Sequence, residues 1–272
     1  MRKAFLVVGL IALLNSVPLT QTRASTATQC TGPLPPGTYS DVVVPEGHVC
    51  SLQRVIVLGN VTIERNAALQ VESSTILGLL QGRGGHFSKT SQIPTGVSGG
   101  GSRIGQIDIS DMDSINLVLS TVAGDVVANH VDEFFLAGVQ IGGSVIADHV
   151  LYTGYPSPRV GLCQDTVGGD VRVRRPAVDV EIGHPAVSCS GNQIAGSLVV
   201  SNQIPLPIPG LTTELSVSGN TVNGDARVDN NRGPGRKQVM ANTVGGTLTC
   251  INNDEPFTGG PNTATRTKGQ CF

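Results

Sequence analysis

The chain has 272 residues, with 18 Lys and Arg against 20 Asp and Glu and a net charge of −2 at pH 7. That balance, with no basic run beyond the short Arg172–Arg175 segment, gives no support for nucleic-acid binding. Aromatic residues are 3% of the chain and tryptophan is absent, which argues against the aromatic platforms of many sugar-binding clefts.

Arg2 and Lys3 precede the apolar run Ala4–Leu14, and small residues around Ala24 and Ala27 offer cleavage points. This is the pattern of a secretory signal peptide over residues 1–27, too short to span a membrane as a helix. The mature chain then carries no transmembrane segment and is expected to be secreted. Residues 28–56 read as an N-terminal cap, with a strand at Asp41–Val44 closing the apolar end.

From residue 57 to residue 272 a short phrase recurs: aliphatic, any residue, glycine, any residue, aliphatic. Its glycines are Gly59, Gly78, Gly105, Gly124, Gly143, Gly169, Gly196, Gly224 and Gly246, separated by 19, 27, 19, 19, 26, 27, 28 and 22 residues. Self-similarity at this spacing is the signature of a solenoid whose coils stack on one another. Two residues before the glycine stand Val57, Ile76, Arg103, Val122, Ile141, Val167, Ile194, Val222 and Val244; only Arg103 is not β-branched. Two residues after it every position is apolar, from Val61 to Leu248, and the residue between is polar in every phrase but the one carrying Leu79. Alternation of period two is strand geometry, so the apolar columns stack into a continuous core. The glycine reads as a bend or bulge at a corner of the coil.

Six residues past the glycine lies a column that includes Gly84, Asp111, His130, His149, Asn202, Asn230 and Asn252. Asn, Asp and Gly tolerate left-handed turns, so this column is expected to mark the next corner. Coil length varies and no six-residue rhythm persists. The expected fold is therefore all-β, a single-domain right-handed parallel β-helix of about ten coils with almost no α-helix. Where coils lengthen, loops are expected at Gly82–Gly101, Val150–Asp165, Ser201–Thr212 and Asn231–Val239. The first reads as a spacer as readily as a contact segment.

All six cysteines fall in the exported part. Cys30 and Cys50 are 20 residues apart, Cys163 and Cys189 26, Cys250 and Cys271 21, each about one coil. Neighbouring parallel strands lie about 4.8 Å apart, within the Cα–Cα range of a disulfide. Six cysteines permit fifteen pairings; coil-to-coil stapling favours these three. Zinc is the competing reading, but no CxxC pair is present.

Chemistry-bearing residues also fall into columns. Asp111, His130 and His149 are spaced 19 and 19, which stacks them on three adjacent coils, and two imidazoles with a carboxylate are candidate metal ligands. Asp113 and Asp132 share a column two residues further on, while Asn129 and Asp148 precede the histidines. The alternative to a metal centre is a polar turn ladder or an acid–base pair. Asp125, Asp170 and Asp225 each follow a motif glycine and stand about two rungs apart, roughly 9–10 Å, near the separation of an inverting glycosidase pair. Their alternative is a set of outward turn residues. Arg172, Arg174 and Arg175 could grip an acidic sugar or form a solvated face balanced by Asp170 and Asp179. No catalytic residue and no cofactor follows from these patterns.

The phrases Val122–Val126 (VAGDV), Val167–Val171 (VGGDV) and Val222–Ala226 (VNGDA) resemble the coils of bactofilins, β-helical bacterial scaffold proteins that polymerise end to end. This chain differs from them in its signal peptide, its cysteines and its longer loops. Cys30–Cys50 (CTGPLPPGTYSDVVVPEGHVC) and Asn242–Cys271 are similar to secreted bacterial β-solenoids of unknown function, a resemblance that covers nearly all of the mature chain and implies no catalytic residues. The expected function is that of a secreted, non-enzymatic structural or surface-interaction protein of the cell envelope or medium, with a cell-surface glycan or protein as partner. The alternatives are a carbohydrate-active enzyme of the polysaccharide lyase or glycoside hydrolase type and a metal- or glycan-binding adhesin module.

Overall fold

A computed structural model describes residues 26–84, 95–151, 159–183, 189–205 and 212–271. The expected signal peptide lies outside the described residues except for Thr26 and Ala27, as do parts of three expected loops.

The described residues contain no helix, and all 28 strands join one continuous sheet in which every pairing is parallel. Each coil visits three faces. The first holds the strand after the glycine, as in Val126–Ala128, which pairs with Ile107–Ile109 on one side and Val145–Ala147 on the other. The second holds a strand such as Phe134–Leu136, paired with Ile115–Leu117 and Val160–Leu162. The third holds two-residue strands, from Thr38–Tyr39 to Thr263–Ala264. This is the parallel β-helix that the recurrence predicts.

The inward columns form one core. Val57, Ile76, Val122, Ile141, Val167, Ile194, Val222 and Val244 are all nearly or fully buried, as are Val61, Leu80, Ile107, Val126, Val145, Val171, Leu198, Ala226 and Leu248. The one break in the first column is repaired by a register shift between Ile104 and Gln106. Exposed Arg103 pairs with Thr75, and buried Ile104 takes the apolar position beside Ile76 and Val122.

The segment 28–56 continues the same three faces: Thr28 pairs with Val42, Pro33 with Ser51 and Thr38 with Ile56. The strand expected to close the apolar end is itself covered, because Val42–Val44 lies between Thr28–Gln29 and Val61–Ile63. Three disulfides join Cys30 to Cys50, Cys163 to Cys189 and Cys250 to Cys271, with Cα–Cα distances of 5.4, 5.3 and 5.3 Å.

The longest stretches of chain between consecutive strands of the first and second faces run from Arg83 to Gly96, Asp148 to Arg159, Ser201 to Leu215 and Asp229 to Lys237. Part of the first expected loop is instead regular: Gly96–Gly100 is a second-face strand in register with Ala68–Glu72 and Ser114–Val118.

Candidate functional site

The corner expected six residues past the glycine is left-handed in all but the first coil. Gly84, Asp111, His130, His149, Arg175, Asn202, Asn230 and Asn252 have φ between 51° and 83°. In the first coil the conformation moves one residue on, to Asn66. A non-glycine residue in this region carries a steric cost that Asn, Asp and His bear best, so the two histidines suit this corner.

Their geometry is that of a stack. The rings of His130 and His149 lie with centroids 4.6 Å apart and planes 4° from parallel. His130 Nδ1 is 3.9 Å from Asp111 Oδ1, and His149 Nδ1 is 3.4 Å from Asp148 Oδ1. Arg175 on the next rung donates from Nε to Asp148 Oδ1 at 3.1 Å and from Nη2 to Oδ2. Imidazole lone pairs lie in the ring plane, so parallel stacked rings do not aim their nitrogens at one ion. Among the described residues no set of three or more His, Cys, Asp or Glu side chains is grouped to hold a metal. The column does bring Asp111, His130 and His149 together, but the expectation of a metal centre there is not carried by this arrangement.

The stack sets the charge state of His149. Its partial burial lowers its pKa, Asp148 opposes this, and Arg175 and His130 add to the lowering. Asp148 is raised by burial, but the Arg175 hydrogen bond and the charges of His149 and Arg175 outweigh that and hold it below the usual carboxylate range. A proton NMR titration is therefore expected to place His149 below the ordinary histidine value of 6.5, and Arg175→Ala to move it upward by freeing Asp148. Because the unfolded chain binds a proton near pH 6.5 that folded His149 refuses, this residue subtracts stability as pH falls through that range. A His149 midpoint above 6.5 would contradict the assignment.

Asp125, Asp170 and Asp225 form a different device. Asp125 Oδ1 accepts the backbone N–H of Ser144 at 2.7 Å, Asp170 Oδ1 that of Ser197 at 2.8 Å and Asp225 Oδ1 that of Thr247 at 2.7 Å. The intervening serines do the same with hydroxyl oxygens: Ser144 Oγ accepts the Asp170 N–H at 3.1 Å and Ser197 Oγ the Asp225 N–H at 3.3 Å. At the other end Asp41 and Asn60 continue the ladder to Asn60 and Leu79. These carboxylates tie coil to coil at the corner, where the glycines stay paired through their main chain and the N–H of the next residue turns to a side chain.

The chain bends or bulges at the motif glycines, as the recurrence predicts, and the ladder adds why the residue there is glycine. None of the nine motif glycines is left-handed. A Cβ on Gly143, Gly169, Gly196, Gly224 or Gly246 would instead overlap the side-chain oxygen of the preceding coil's Asp125, Ser144, Asp170, Ser197 or Asp225. The glycine makes room for the polar atom that bonds the next residue's N–H.

Two further ladders escaped the sequence reading. Ser74, Ser102 and Ser120 accept the N–H groups of Val55, Ser74 and Ser102, while Asn192, Asn220, Asn242 and Asn262 link rung to rung through both N–H and Nδ2. Asn231, Asn253 and Gln270 form the other. Asp165 sits in the first of these, accepts the N–H groups of Val139 and Cys163, and is pushed by burial up to about 7. Lys237, between Leu215 and Phe257 in an apolar column, is fully buried. Its Nζ donates to the carbonyls of Gly233 at 2.6 Å and Gly235 at 2.9 Å, and burial lowers its pKa against the pull of Asp254 and Glu255. It anchors the corner loop Asn231–Arg236.

Two of the three arginines are likewise engaged, Arg172 with Asp170 at 2.7 Å and Arg175 with Asp148, while Arg174 is exposed. Asp179, expected to balance them, stands on the second face and accepts the Glu214 N–H. Comparison with models of known protein families, with curated proteins and with solved structures finds no match.

Proposed function

We propose that this chain is an exported, non-enzymatic rod that displays its flat faces and one edge of corner loops to partners at the cell surface or in the medium. The observation that carries this reading is the side-chain ladder. Asp125, Asp170 and Asp225, the best candidates for paired catalytic carboxylates, each accept a backbone N–H from the next coil. An oxygen so occupied serves the frame and is not aimed at a substrate, and reach to the reacting atom is the first requirement of an acid–base group. Asp111, His130 and His149 line an open corner rather than a cleft. Three disulfides fit an oxidising compartment, in agreement with the N-terminal apolar run. Insertions collected along one corner are where a solenoid presents contact surface.

The test is a turnover screen of the purified secreted protein against neutral and acidic polysaccharides, with reducing-end and unsaturated-uronate detection. No product above the level of a His130→Ala/Asp170→Asn variant is expected. Turnover that those substitutions abolish would establish the carbohydrate-active alternative instead.

A further inference from the structure

A groove crosses the second face where the strand Gly96–Gly100 lies between Ala68–Glu72 and Ser114–Val118. It is open to solvent, offers about 510 Å³ of space and is walled by Gln70, Glu72, Ser73, Ser98, Asn116 and Val118, with Gly99 and Gly100 as its floor. The register explains its shape. Gln70, Ser98 and Asn116 share one outward column, and Glu72, Gly100 and Val118 share the next. Large side chains thus stand on both outer rungs, and the middle rung is cut away.

The glycines are there at a cost. Glycine inside a strand loses roughly 0.5–1 kcal/mol relative to alanine through backbone entropy. Gly96 and Gly99 have φ of 130° and 152°, and Gly101 has 63°. Gly99 occupies the register of buried Val71 and Leu117, yet a Cβ there would collide with the Val71 carbonyl; one on Gly100 would lie 2.8 Å from Val118 Cγ2. A rod built only for stiffness gains nothing from this run. Local departures from the rules of a stable strand concentrate at functional sites.

The walls supply the chemistry. Among the described residues, the side chains of Gln70, Glu72, Ser98 and Asn116 make no hydrogen bond or ion pair, so their donors and acceptors are free for a ligand. Amides both donate and accept, hydroxyls do the same, and a carboxylate accepts from two neighbouring hydroxyls. The set holds one negative charge, no cation and no aromatic ring. Those features suit a ligand rich in hydroxyl groups and without negative charge, and the volume falls within the range of small-molecule sites.

We propose that this groove binds a short neutral saccharide, held edge-on by hydrogen bonds from Gln70, Glu72, Ser98 and Asn116 without ring stacking. The site is independent of whether the rod turns over any substrate, so it stands or falls apart from the non-enzymatic reading.

The test is calorimetric titration of the secreted full chain with glucose tetramers of β-1,4, β-1,3 and α-1,4 linkage, with tetragalacturonate as the anionic counterpart and sugar recovery checked afterwards. At least one neutral tetramer is expected to bind with Kd below about 1 mM, and tetragalacturonate at least tenfold more weakly. Gln70→Ala/Asn116→Ala is expected to weaken binding by at least tenfold. Ser98→Tyr, which fills the groove from an outward position, is expected to abolish it. Both variants should keep the wild-type melting temperature within a few degrees, since neither touches the core. The proposal is overturned if no neutral tetramer binds, if Ser98→Tyr binds as wild type does, or if tetragalacturonate binds as tightly.

Discussion

Gly196→Ala is expected to destabilise the protein by about 2–4 kcal/mol, the cost of forcing atoms into a packed site and losing a half-buried hydrogen bond together. The added methyl would overlap Asp170 Oδ1 and stand 2.6 Å from the Gly169 carbonyl oxygen. Neither can yield freely. The Gly169 carbonyl accepts the Gly196 N–H at 3.0 Å, and Asp170 Oδ1 accepts the Ser197 N–H at 2.8 Å. Two other glycines calibrate the effect. Gly124 follows a coil that carries Gln106 in place of a short Asp or Ser, and a methyl there comes no closer than 3.2 Å to the Gly105 carbonyl. Gly32 has nothing within 4 Å of the position its Cβ would take. Denaturant unfolding followed by strand circular dichroism should therefore rank the losses Gly196→Ala, Gly124→Ala, Gly32→Ala, with the last near zero. Equal losses at Gly196 and Gly124 would show that the glycine serves the backbone rather than the ladder. Asp170→Ala should in turn soften the penalty of Gly196→Ala, leaving only the carbonyl contact, a coupling that a double-mutant cycle measures.

The same residues show what could be read in the sequence and what could not. The glycine and aliphatic columns were legible because coil stacking gives every inward position the same requirement, and that requirement repeats along the chain. Arg103 looked like an exception only because a fixed offset from Gly105 cannot register a one-residue shift; the apolar residue was next to it. The left-handed corner was legible from its Asn, Asp and Gly content, and the histidines inherited the conformation from their column.

The roles of Asp125, Asp170 and Asp225 were not legible. A carboxylate's chemistry depends on which atom faces it, and here a backbone N–H one coil away decides the matter. Reading these residues alone suggested paired acids; reading each with the glycine of the following coil would have suggested a bond between rungs. The buried polar ladder could have been found with the same ruler, since Ser74, Ser120, Asp165, Asn192, Asn220 and Asn242 all stand four residues before a motif glycine. The groove was hidden for the opposite reason. Gly96–Gly101 breaks the composition rules of a strand, so it read as part of a loop, although its neighbours hold it in register. Lys237 fell inside an expected loop as well, where a core position was not sought.

Asp165 offers the second large effect, because it is the one carboxylate in a column whose other polar members are serine and asparagine. Burial drives its pKa from 3.8 to about 7, opposed by the N–H groups of Val139 and Cys163, and no charged partner is among the causes. Between those two values the folded protein holds a proton that the unfolded chain has released, so stability declines as pH rises from about 4 to 7. At pH 8 the buried anion remains as a standing cost. Each further rung shows what an amide does in this place. Asn192, Asn220 and Asn242 each donate from Nδ2 both to the next Asn Oδ1 and to a carbonyl one coil back, at Leu162, Ile182 and Val217. At position 165 the equivalent acceptors are Asn192 Oδ1, which already takes the Asp165 N–H at 2.9 Å, and the carbonyl of Leu136, the partner of Leu162. Asp165→Asn removes the charge and adds the amide donor of the other rungs, at the loss of the oxygen that accepts the Cys163 N–H. It is expected to stabilise the protein at pH 8 by roughly 1–3 kcal/mol, part of the roughly 4 kcal/mol ceiling set by a shift of about three units at 1.36 kcal/mol each. Near pH 4, where the wild-type residue is already protonated, the gain should shrink toward zero. Urea denaturation of both proteins at pH 4 and pH 8 in constant salt measures the difference. If Asp165→Asn were the less stable protein at pH 8, the ionised carboxylate would be a bonded asset of the ladder, and burial would not be the force that governs it.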